Sequence, residues 1–249
     1  MMGRRTCHVA RAALLAAATF VVPAPVAAQD GPRQFTVPDG CTAFLTVQSR
    51  SCMVSHHWTC EGDPDGTHWR VSLDSDGPFY LSFTDAEFRW LQSWELRNDI
   101  VSTIVEPEDD PASMTEMLET GSDAMVFTIL SEGPGGRLRR DYTGFDRLTG
   151  EVITVDGERL EVTEFAYQFD TSQGVRRTEG NQFVHRDWRL FFGGLETTTA
   201  ANGDTFEGNY SPMQFAEPGE RGFLTTQPIY DCGEMMSAAP STPVWSARQ

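Results

Sequence analysis

Apolar and polar residues alternate most clearly over residues 161–169, where Phe165, Tyr167 and Phe169 fall on one side and Glu164, Ala166 and Gln168 on the other. A two-residue period of this kind is that of a half-buried strand. Turn signals divide the surrounding chain: Leu148-Thr149-Gly150, Asp156-Gly157, Gln173-Gly174 and Asn202-Gly203-Asp204. They separate strands expected over 151–156, 160–169, 175–190 and 204–215, joined in sequence as an antiparallel meander.

The pattern extends towards the N-terminus. In 67–73, Trp69, Val71 and Leu73 alternate with His68, Arg70 and Ser72, and 79–83 reads as the next strand. Residues 87–96 fit both strand and helix periods, and the density of Phe88, Trp90 and Trp94 favours a strand. Asp110 is placed to cap a short helix near 111–120, with Pro111 at its first position and Gly121 ending it. Met114, Met117 and Leu118 then share one helix face. Met125, Phe127 and Ile129 carry a strand over 123–130, and Gly133-Pro134-Gly135-Gly136 turns the chain back. The expected fold is mainly all-β: an antiparallel β-meander curled into a barrel or half-barrel, with one short helix.

The first residues add a compartment. Arg4, Arg5 and Arg11 precede an apolar run over 12–22 and a small-residue ending at Ala27-Ala28, the layout of a signal peptide over residues 1–28. Residues 29–40 read as an exposed lead-in, 41–233 as a single β-rich domain, and 234–249 as a flexible C-terminal tail. The leader holds three arginines and no acid, so its removal takes the formal charge from −17 to −20. So acidic a surface disfavours nucleic acid and anionic membrane, and no later segment is apolar enough for stable membrane insertion.

After the leader four cysteines remain, Cys41, Cys52, Cys60 and Cys232. An even number in an oxidising compartment implies two disulfides, with three connectivities open. Closure of a last strand over 223–230 against a first strand over 43–47 favours Cys41 with Cys232, leaving Cys52 with Cys60. A zinc reading of His56, His57 and His68 among these cysteines is weak. The spacing lacks a Cys-x-x-Cys knuckle, and adjacent histidines on a strand point to opposite faces. No metal or other cofactor is expected.

No catalytic motif stands out. His185-Arg186-Asp187 superficially matches a kinase catalytic loop but lacks its downstream asparagine, since Phe192 stands there. The glycine cluster at 133–136 lacks the ending of a phosphate loop. Arg137, Arg139 and Arg140 form the one basic knot, expected to pair with neighbouring carboxylates rather than to bind an anion. The leading expectation is an exported, periplasmic protein that binds or carries an apolar or amphipathic small molecule, with Trp90, Trp94, Phe165, Tyr167 and Phe169 as the candidate lining. The alternative is a structural or assembly factor for another envelope protein. A hydrolase-type enzyme using His185 and Asp187 comes third.

Overall fold

A computed structural model describes residues 34–233. The expected leader, the start of the lead-in and the tail lie outside the described residues. Thirteen strands form one antiparallel sheet: β1 (Cys41–Ser49), β2 (Met53–Cys60), β3 (His68–Asp74), β4 (Gly77–Thr84), β5 (Trp90–Glu95), β6 (Ile100–Ile104), β7 (Ser122–Gly133), β8 (Gly136–Val155), β9 (Glu158–Thr171), β10 (Gly174–His185), β11 (Leu190–Thr199), β12 (Thr205–Asn209) and β13 (Pro212–Ala216). Helix α1 (Met114–Thr120) is inserted between β6 and β7. Strands β1 to β12 pair in sequence, and β13 returns to pair with the outer side of β1. The sheet is a curled meander that does not close, because β12 and β13 are its two edges.

Local chemistry sets the turns. Asp156 and Gly157 both take positive φ, 50° and 91°, as the tight two-residue β8–β9 turn requires. Asp156 also accepts the Phe215 N–H at 2.9 Å, which fastens edge strand β13 to that turn. Ser113 caps α1 by accepting the Glu116 N–H, and Gly121 ends it in the left-handed region at φ 94°. The helix thus starts later than the Asp110–Pro111 signal implied.

Two expected strands prove composite. The stretch 175–190 is broken after His185, where a turn leads into β11, and 204–215 is two strands, β12 and β13. Residues 223–230 form no strand at all. It is β13 that closes on β1, with Val47 opposite Phe215.

The ladders show how the sheet buries itself. Leu45, His57, Arg70, Ser82, Ser93, Ser102 and Ser131 stand opposite one another across β1 to β7, so all lie on one face. That face continues into β8–β10 as Tyr142, Asp146, Phe165 and Val184. Yet Leu45, Val47 and Phe215 pack against Leu160, Val162, Phe183 and Phe192, which occupy the other face of β9–β11. The sheet therefore rolls past its own edge, and β9–β11 are covered on both sides: by β1 and β13 on one, by Met114 and Met117 of α1 on the other.

The outer face of β1–β4 carries Val54, Trp58, Val71 and Leu73 and is covered by Phe35, Val37, Phe223 and Leu224. Both disulfides serve this region, with a pairing opposite to the expected one. Cys41 stands directly across the β1–β2 ladder from Cys60 and is bonded to it, with Cα atoms 3.9 Å apart. Cys52, in the β1–β2 turn, is bonded to Cys232. The physical reason is that 223–232 crosses the outer face as an irregular strap instead of closing the sheet, hydrogen-bonded from Leu224 to Thr46 and from Cys52 to Tyr230.

Candidate ligand cavity

Helix α1 does not lie flush on the sheet. Between it and the inner face of β7–β10 is a cavity of about 90 Å³, with Met114, Met117, Met125, Phe127, Phe165, Tyr167 and Phe191 among its apolar walls and Trp90 and Ile104 at one side. Drug-sized ligands occupy pockets of roughly 300–1,000 Å³. Unaltered, this cavity takes a short apolar group, not a large rigid ligand.

Carboxylates position the lid. Glu87 accepts from the Thr115 N–H at 2.8 Å, the Thr115 hydroxyl at 2.7 Å and the Ser113 hydroxyl at 3.1 Å, while Arg189 donates to it at 3.1 Å. Burial works to raise the Glu87 pKa, but these donors hold it below the ordinary value. Asp123 accepts the Ser113 N–H at 2.8 Å. The first turn of α1, whose N–H groups have no intrahelical partners, is thus tied to two acids on other elements. Arg89 closes the adjacent rim with Asp85 and Glu108, each at 2.6 Å.

Asp123 and Asp146 are the unusual pair. They are direct partners in the β7–β8 ladder and both line the cavity. Burial raises Asp123 to about 6, assisted by Glu116, Asp110 and Glu87 and opposed by the Ser113 N–H. Burial raises Asp146 to about 7, with Asp123 adding to it. Two carboxyls in apolar surroundings favour the neutral form, so the pair takes up protons in the mildly acidic range.

The residues proposed from sequence divide. Trp90, Phe165 and Tyr167 line the cavity. Trp94 does not: a bulge between β4 and β5 sets Trp90 opposite Thr84 but Trp94 opposite Leu81, so the two tryptophans point to different faces. Trp94 stacks on Trp69 at 5.5 Å. Phe169 lies beyond the cavity on the same sheet face, 4.9 Å from the Tyr142 ring. His185 and Asp187 are not brought together. His185 Nε2 meets Glu158 at 3.0 Å, its Nδ1 accepts the Trp188 N–H at 3.1 Å, and Asp187 is exposed. His56 and His57 lie on opposite faces, His56 stacked on Phe35 at 4.9 Å and His57 5.9 Å from His68.

Asp123 and Asp146 were missed by the sequence reading, although each sits in the apolar phase of its strand, at the head of Met125–Phe127–Ile129 and between Tyr142 and Leu148. An acid out of phase was the available signal. Set against known families, curated proteins and solved structures, the chain matches no family model, no curated protein and no solved structure.

Proposed function

We propose that this is an exported binding or carrier protein for a small apolar or amphipathic molecule held in the cavity between α1 and β7–β10. The observation that carries the reading is the cavity itself: aromatic and methionine walls around unfilled space, beside two packed hydrophobic clusters. Methionine walls suit an adaptable apolar site, because the side chain is unbranched and polarizable. The leader layout of residues 1–28 and the two disulfides support export to the periplasm, since disulfides persist in oxidising compartments. Among the described residues no helix is long and apolar enough to cross a membrane.

Titration with octanol, a flexible apolar chain, followed by calorimetry and tryptophan fluorescence, tests the reading. Saturable one-to-one binding is expected, with a change in Trp90 emission that is absent from Trp90→Phe. Ala112→Trp, which fills the cavity from its half-buried rim, should abolish it. Binding that survives Ala112→Trp, or no binding, overturns the proposal.

One observation favours an assembly factor as the second reading. Strand β12 is a free edge with Phe206 61% exposed, a template for strand addition. A photocrosslinker at Phe206 in the living source cell should then join the protein to one envelope partner; its failure to crosslink removes this reading.

A further inference from the structure

The chain contains no lysine, so every permanently cationic side chain is an arginine. Among the described residues, Arg50, Arg89, Arg97, Arg137, Arg139, Arg147, Arg159, Arg177, Arg186 and Arg189 are each within ion-pair distance of a carboxylate. In so acidic a protein that is the expected outcome. Arg221, in an exposed turn, has no such partner among the described residues, and neither do Arg70, Arg140 and Arg176. Arg140 and Arg176 lie on one face of the sheet.

The ladders place them. Tyr142, Phe169 and Arg176 are successive partners across β8, β9 and β10, and Arg140 is two residues from Tyr142 on the same face. The Arg140 guanidinium lies 5.2 Å from the Phe169 ring. Arg70, on β3, lies 5.9 Å from the Tyr80 ring, and its buried Nε has no hydrogen-bond partner among the described residues. Burial raises the pKa of the Tyr142 phenol, and the neighbouring charges of Arg140 and Arg176 oppose it. The nearest acid on this face of β5 is Glu95, opposite Tyr80, and its carboxylate accepts from Asn98 in the following turn.

Tyr142 also adjoins the cavity. Its ring stacks on Phe127 at 5.0 Å and meets Tyr167 edge-on at 6.1 Å, and both partners are cavity walls. A single sheet face therefore runs from the apolar space under α1, across three aromatic rings, to Arg140 and Arg176, which pair with no carboxylate among the described residues. Guanidinium groups left without a carboxylate recognise planar or tetrahedral oxyanions through paired N–H donors.

Resting on the carrier reading, we infer that the ligand is an amphipathic anion, its apolar chain in the cavity and its carboxylate or phosphate head held by Arg140 and Arg176 beside Tyr142. The two parts cooperate. Apolar burial supplies affinity within the cavity, and the arginines fix the orientation and the sign of charge accepted.

The test is calorimetric titration of the intact protein at pH 7.5 with octanoate, octanol, octylamine and acetate. Octanoate should bind about 10-fold or more tightly than octanol, the range expected for one charge-assisted hydrogen bond. Arg140→Gln and Arg176→Gln should each remove most of that preference and leave octanol binding unchanged. Arg137→Gln, which breaks only the exposed pair with Glu132, should change neither. Octanoate and octanol binding alike, octylamine binding tightest through Asp146, or acetate binding as tightly as octanoate would each overturn the amphipathic-anion inference while leaving a cavity that binds apolar molecules. If neither octanol nor octanoate binds, the carrier reading falls with it.

Discussion

Removing the Cys52–Cys232 bond should destabilise the domain more than removing Cys41–Cys60, by an amount the chain closure sets. The two bonds span 180 and 19 residues. If each acts by restricting the unfolded chain, the difference is 1.5RT ln(180/19), about 2 kcal/mol at 25 °C. The folded contacts act in the same direction. Cys41 and Cys60 are already held opposite each other by the β1–β2 ladder. Cys52–Cys232 instead fastens the strap whose Phe223 and Leu224 cover the outer core, alongside the Arg50–Asp231 ion pair at 3.2 Å. The comparison is urea unfolding of Cys52→Ala/Cys232→Ala against Cys41→Ala/Cys60→Ala, with non-reducing peptide mapping of the parent. The longer-loop variant should lose about 2 kcal/mol more. Equal losses, a larger loss for the short loop, or a mapped Cys41–Cys232 peptide would refute the argument.

Met117, on the cavity side of α1, is wholly buried, so Met117→Ala should cost about 2–5 kcal/mol in chemical denaturation while enlarging the cavity and strengthening octanol binding. Gly180→Ala would set a Cβ 2.0 Å from the Leu195 carbonyl oxygen, and the backbone shift this forces should lower stability by about 1–3 kcal/mol, read as a reduced melting temperature. The acid response has two opposed parts. Burial lowers His56 and His68 to about 4, and His57 well below its usual value, so protons taken up by the unfolded chain below about pH 6.5 destabilise the fold. Asp123 and Asp146, raised to about 6 and about 7, take up protons first in the folded state, so their contribution grows as the pH falls from 7 towards 4. Asp123→Asn/Asp146→Asn should therefore steepen the loss of melting temperature between pH 6.5 and 4.5; an unchanged slope would contradict the raised values.

Much of the architecture was legible because it depends on neighbours in sequence. Asp156-Gly157 can make a tight two-residue turn wherever it occurs, and Phe165, Tyr167 and Phe169 alternate regardless of what they face. The features that escaped depend on partners far along the chain. Trp90 and Trp94 share a phase in the sequence, but the β4–β5 bulge turns them apart, and nothing within 87–96 marks that extra residue. The cysteine pairing was inferred from a closing strand at 223–230, whereas β13 takes that place and frees the chain to cross the outer core. Of the knot at 137–140, Arg137 and Arg139 find carboxylates as expected, and Arg140 differs because its side chain points to the opposite face of β8 from theirs. That difference was readable from strand parity, but its neighbour Arg176 emerges only once the β8–β9–β10 register is known.

Methyl resonances of the methionines test the central claim most directly. Met114, Met117 and Met125 line the cavity, while Met53 on β2 and Met213 on β13 lie outside its walls. With methyl-labelled protein titrated with octanol, the account predicts saturable shifts at the three cavity methionines, driven by displacement against the rings of Phe127 and Phe165, and still signals at Met53 and Met213. Unmoved cavity methyls, or shifts confined to Met53 or Met213, would contradict it.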